Sequence, residues 1–176
     1  MPQMRRFISL TWFLLLCATA FGESRTECSV LNSQILRRHV RYCVLLPDNY
    51  NATMREHPGQ RYPVLYFLHG LGNNEQTLFT SGGWNIIQDL RQQHKIGDFL
   101  LVAPEGRRSF FINSADGKTR YSDFFLQELM PYIERKYPVR AERRSRGISG
   151  ISMGGYGALR FAFARPGQQG ECRFTT

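Results

Sequence analysis

The chain has 176 residues, 42% of them hydrophobic and 13% aromatic, with a formal charge of +9. That is enough apolar material for one domain with its own core, and it excludes a disordered chain. The arginines are scattered, with local clusters at Arg37-Arg38, Arg107-Arg108 and Arg140 to Arg146, and lack the basic helix or interleaved aromatics that read nucleic acid, so no nucleic-acid partner is expected.

The first residues read as a targeting segment. Met1 to Arg6 is a short basic region, Phe7 to Ala20 is apolar, and Ala18-Thr19-Ala20 fits a small-residue cleavage site. A signal peptide over residues 1–22 is therefore expected, with the mature chain secreted or periplasmic and no stable membrane span once it is cleaved. Export permits disulfides. Cys28 and Cys43 flank a polar turn around Asn32-Ser33-Gln34 and could face each other across a hairpin; two half-buried thiols are the alternative. Cys172 has no evident partner. No Cys/His spacing suggests a metal site.

Two strands come next, Thr26 to Leu31 and Arg38 to Leu46. In the second, Val40, Tyr42, Val44 and Leu46 share one face. Pro47 to Asn51 reads as a turn, Asn51-Ala52-Thr53 as a glycosylation sequon, and Arg55 to Arg61 as a polar loop. Tyr62 to Leu68 is a continuous apolar run, which suits a central strand covered on both faces. It runs into the glycine-rich loop His69 to Asn74, at the carboxyl end of a strand, where open α/β sheets bind ligands. Glu75 to His94 reads as a loop followed by a helix with Trp84, Ile86, Ile87 and Leu90 near its apolar side. Asp98 to Pro104 is a second buried strand, and Glu105 to Thr119 is a polar loop containing Phe110-Phe111. Tyr121 to Tyr137 is an amphipathic helix ended by Pro138. This alternation predicts an α/β fold with a mostly parallel sheet and an antiparallel N-terminal hairpin.

A short strand at Gly147-Ile148-Ser149 leads to Gly150-Ile151-Ser152-Met153-Gly154, of the form G-x-S-x-G, and a small-residue helix follows to Ala164. That strand–turn–helix context makes the motif a nucleophile elbow, with Ser152 lifted clear of the chain. A serine hydroxyl needs donors for the oxyanion it creates and a base for its proton. The backbone N–H groups of Met153 and Leu71 are the expected donors. The base is missing: no His or Asp follows Ser152, where this fold keeps its acid and base. His69 belongs to the oxyanion loop and is expected to brace it. His69, Gly70 and Trp84 are candidates for the substrate site; Phe110 and Phe111 could line it or pack in the core.

Four stretches resemble the esterase D family of α/β hydrolases, which includes feruloyl and acetyl-xylan esterases (carbohydrate esterase family 1), S-formylglutathione hydrolase and the mycolyltransferases. They are Tyr42 to Tyr50, Tyr62 to Gly72, Glu128 to Tyr137 and Gly147 to Gly157, in the family's order. The resemblance implies the N-terminal part of an α/β-hydrolase fold over residues 23–165. It also implies Ser152 as nucleophile, Leu71 and Met153 as oxyanion donors, and an acyl-enzyme formed without metal or organic cofactor. The expected partner is a small-molecule or polysaccharide ester. Residues 166–176 depart from the family pattern and read as a truncated or frameshifted tail. The chain is thus expected to be a secreted serine carboxylic-ester hydrolase, impaired by the absent acid and base. An acyltransferase of the mycolyltransferase type and a non-catalytic product are the alternatives.

Overall fold

The computed structural model describes residues 25–164; the leader, Cys172 and the tail lie outside these residues. Five strands form one mixed sheet in the order β1-β2-β4-β3-β5. They are β1 (Thr26–Ser33), β2 (Arg38–Leu45), β3 (Val64–Leu68), β4 (Leu100–Pro104) and β5 (Arg146–Gly150). β1, β2 and β4 pair antiparallel, whereas β4, β3 and β5 run parallel. The parallel part is connected by helices, as parallel neighbours require. It directs the loops after β3, β4 and β5 to one edge of the sheet.

β3 and β4 are largely buried on both faces, and the two faces meet different helices. Val40, Tyr42, Val44 and Leu46 do share a side. With Val64, Tyr66 and Leu68 they pack against Phe124, Phe125, Leu129, Ile133 and Phe161. The opposite face carries Leu45, Phe67, Leu101 and Ala103, covered by Leu78, Phe79, Trp84 and Ile87. The covering helices on that side are α2 (Thr77–Thr80) and α3 (Gly83–Gln92). Ile86 faces solvent.

Three elements differ from the sequence expectation. The stretch after Pro47 is not all turn and loop, because α1 occupies Tyr50–Glu56. Asn49 in the left-handed conformation starts it, and it buries no residue fully, so no apolar period marks it. The helix over 121–136 is not uniform: α4 (Tyr121–Phe124) and α5 (Met130–Lys136) flank a π-helical turn at Phe125–Leu129. Pro131 lacks an N–H and its ring would strike the carbonyl of residue 127 in a regular α-helix; a widened turn relieves that. The hairpin turn lies at residues 34–37, with Arg37 at φ 52. Cys28 and Cys43 are register partners joined by a disulfide, with Cα atoms 4.0 Å apart. Last in the described chain, α6 (Met153–Ala164) follows β5 directly.

Candidate active site

Ser152 sits between β5 and α6 with φ 53, a left-handed conformation that a serine adopts only when its surroundings impose it. The surroundings are visible. The N–H of Ile151 donates to the Leu68 carbonyl at 3.1 Å, which ties the elbow to the end of β3. The N–H of Gly154 then donates to the Ile151 carbonyl at 2.9 Å, and that of Tyr156 to the Ser152 carbonyl at 3.0 Å. The turn is so tight that its two glycines are obligatory. A Cβ on Gly150 would stand 2.7 Å from the Leu68 carbonyl oxygen and closer still to Gly154, and one on Gly154 would run into the Leu68 carbonyl. Ser152 itself is exposed.

The loop after β3 lies against this elbow. A Cβ on Gly70 would meet Ile151 O at 3.5 Å and Ser152 Cβ at 3.8 Å, so the loop runs close beside the serine with room for little more than a methyl group between them. Leu71 follows, half exposed, and Met153 opens α6 with its side chain buried. Among the described residues, neither the Leu71 nor the Met153 N–H makes a hydrogen bond.

His69 is buried, and both ring nitrogens are committed. Nδ1 lies 2.8 Å from the Gly70 carbonyl, and Nε2 accepts the Gly106 N–H at 2.8 Å. Nδ1 therefore carries the proton and donates it to Gly70. Neither nitrogen is left to take a proton from Ser152 or to hold a substrate. His69 braces the β3 loop to the loop after β4. The other histidines, His39, His57 and His94, are exposed, on β2, after α1 and after α3. Trp84 is half-buried in the layer of α2 and α3, its ring against Phe79 and the Arg91 guanidinium. Those contacts are packing contacts. Among the described residues no cluster of His, Cys, Asp or Glu side chains is arranged to hold a metal ion.

A second brace was not expected from the sequence. Glu75, at the end of the β3 loop, is only 3% exposed and accepts a hydrogen bond from Arg41 Nε at 2.8 Å. A terminal guanidinium nitrogen of Arg41 donates to Glu105 at 2.9 Å, and Arg38 donates to the same carboxylate at 2.9 Å. Arg41, projecting from β2, thus links the two loops that border the serine. The hydrogen bond to Glu75 raises the Arg41 pKa, helped by the Glu105 and Glu75 charges. Burial pushes the Glu105 carboxyl up, but the Arg38 hydrogen bond and the charges of Arg38, Arg41 and Arg107 outweigh it and hold the pKa below the ordinary value. Tyr121 fixes the Glu105 carbonyl from beneath, its hydroxyl donating at 3.0 Å, and burial pushes its pKa far up. No sequence period marks these residues, because Arg41 lies 34 positions from one partner and 64 from the other.

Phe110 and Phe111 separate. Phe111 is fully buried, in edge contact with His69 and Tyr121. Phe110 is exposed and meets Tyr156 of α6 edge to face.

A strained serine after a parallel strand, at the head of a helix and beside a glycine loop, is the strand–turn–helix arrangement of an α/β-hydrolase fold. The family model described as "Putative esterase" matches residues 33–174, and the chain belongs to this esterase family. The Mycobacterium tuberculosis protein Esterase Rv1288 is 34% identical over 123 residues, covering 68% of this chain and 25% of the relative. An endo-1,4-beta-xylanase/feruloyl esterase of Xylanibacter ruminicola is 32% identical over 127 residues, covering 70% of this chain and 17% of the relative. A solved ferulic acid esterase superposes with a TM-score of 0.75 at 26% identity, over 84% of this chain and 56% of that one. The chain therefore spans a quarter or less of these two curated relatives and about half of the solved one.

Proposed function

We propose that Ser152 is the nucleophile of a serine carboxylic-ester hydrolase and that Leu71 and Met153 supply the oxyanion hole. The observation that carries this is the serine at φ 53 with the Gly70 loop close beside it. Ser152 Oγ bonds to the acyl carbon while the two N–H groups receive the developing oxyanion. The bond to the alcohol then breaks, the serine proton leaves with that alcohol, and water releases the acid from the acyl-enzyme.

His69, in the loop beside the elbow, is unable to serve as the base, since both its nitrogens serve the backbone. We therefore expect the purified polypeptide to acylate and turn over slowly. The leader-like residues 1–22 favour a chain acting outside the cytoplasm, on extracellular esters. The relatives named feruloyl and ferulic acid esterases favour acylated plant polysaccharide or its fragments as the ester.

The test is turnover of p-nitrophenyl acetate by the purified chain and its Ser152→Ala variant. Expected is a rate above buffer that disappears in the variant and lies about 10⁴–10⁶ below an ordinary esterase, the cost of a missing triad member. Turnover at an ordinary rate of about 10 per second would refute the missing base, and turnover unchanged in the variant would refute the nucleophile.

A further inference from the structure

Phe110 and Phe111 are consecutive, and both are left-handed, with φ 53 and 58. Bulky residues occupy that region only under constraint. The twist sends the two rings to opposite sides. Phe111 goes inward, and the room for it comes from glycines: a Cβ on Gly157 would lie 2.8 Å from Phe111 Cβ, and one on Gly106 would enter the ring. Core packing accounts for Phe111. It does not account for Phe110, which stays 43% exposed.

Phe110 is held where it is. A Cβ on Gly157 would also lie 3.2 Å from the Phe110 carbonyl, so the loop rests on α6 beside Tyr156. The two rings stand 6.2 Å apart at 82°. Tyr156 is 45% exposed in the first turn of α6, with its N–H on the Ser152 carbonyl. Helical side chains lean toward the helix N-terminus, so Tyr156 is directed toward the turn that presents Ser152. Leu71, in the loop beside the elbow, and Ile151, in the elbow itself, are also apolar and 48% and 58% exposed.

We propose that Phe110 and Tyr156 form an aromatic clamp that takes a planar aryl group of the ester and so set specificity; this deepens, and rests on, the reading of Ser152 as nucleophile. An edge-to-face pair leaves ring surface open to a third ring, and aromatic contact adds about threefold to tenfold in affinity beyond area burial. An aliphatic group of equal size gains the burial alone.

Binding, not turnover, tests the clamp. The Ser152→Ala chain is titrated with methyl cinnamate and with methyl 3-cyclohexylpropanoate, a saturated analogue of similar size, by ligand-observed NMR. Expected is a preference of about fivefold for the aryl ester. Phe110→Leu and Tyr156→Leu should each abolish the preference with the melting temperature unchanged, and Phe110→Tyr should keep it. Equal affinity for the two esters, or a preference that survives both leucine variants, would overturn the clamp. The outcome is independent of acylation: a failed nucleophile leaves this binding comparison intact, and a failed clamp leaves Ser152 acylation intact.

Discussion

Ser152 and its glycines hold the site's geometry at the scale of single residues. A serine at φ 53 costs about 1–3 kcal/mol of backbone strain, which glycine at the same position does not incur. Ser152→Gly should therefore raise the melting temperature by about 3 °C while removing the nucleophile, and a thermal melt beside an activity assay reads both. The opposite follows at Gly154, where a methyl group would occupy the place of the Leu68 carbonyl. Gly154→Ala should cost about 3 kcal/mol or more and yield little folded protein, as judged by circular dichroism. This part of the molecule was legible in the sequence because the constraint is local: one serine, two glycines, five residues. His69 was legible as a brace for a similar reason, since it stands at the mouth of the glycine loop. The fates of Phe110 and Phe111 were not. The two residues are chemically identical, and which one turns inward depends on the room left by Gly106 in the same loop and by Gly157, distant in sequence and adjacent in space.

Among elements, the loops after β3 and β4 are joined by His69 to Gly106 and by Arg41 to Glu75 and Glu105. Arg41→Met would leave Glu75 buried without its cation. The expected loss is about 1–3 kcal/mol, read from urea unfolding at pH 7. The acid response follows from Glu105. Its pKa is depressed in the folded chain, so its contribution is present above the unfolded value and is lost as pH falls through the folded one. Urea midpoints should hold from pH 7 to about 5 and drop below about pH 4, more gently in Arg41→Met. The disulfide between β1 and β2 closes a separation of 15 residues. Replacing both cysteines by serine should cost about 3 kcal/mol, measured the same way without reductant. Strands and the parallel core were readable from apolar runs and alternation. Helix α1 and the π turn were not, because α1 has no fully buried side and the π turn answers to Pro131 within an otherwise regular apolar period.

Taken whole, the described molecule ends its sheet at β5, which among the described residues pairs with β3 alone. Beyond it α6 exposes Tyr156, Leu159 and Phe163, the last 78% exposed. An open parallel edge next to apolar side chains favours association between chains. The purified chain should self-associate in light scattering as concentration rises, and Phe163→Glu should reduce this. Ser152, the Leu71 loop and the His69 and Arg41 braces all lie toward the carboxyl side of β3, β4 and β5. Reaction of Ser152 itself is the most direct measurement. The chain is incubated with excess p-nitrophenyl acetate, quenched in acid and digested, and the peptide carrying Ser152 is sequenced by mass spectrometry. An acetyl group on Ser152, absent from the Ser152→Ala chain and accumulating slowly, is the predicted result. An unmodified Ser152, with acetyl groups only on lysines or the N-terminus, would contradict its assignment as the nucleophile.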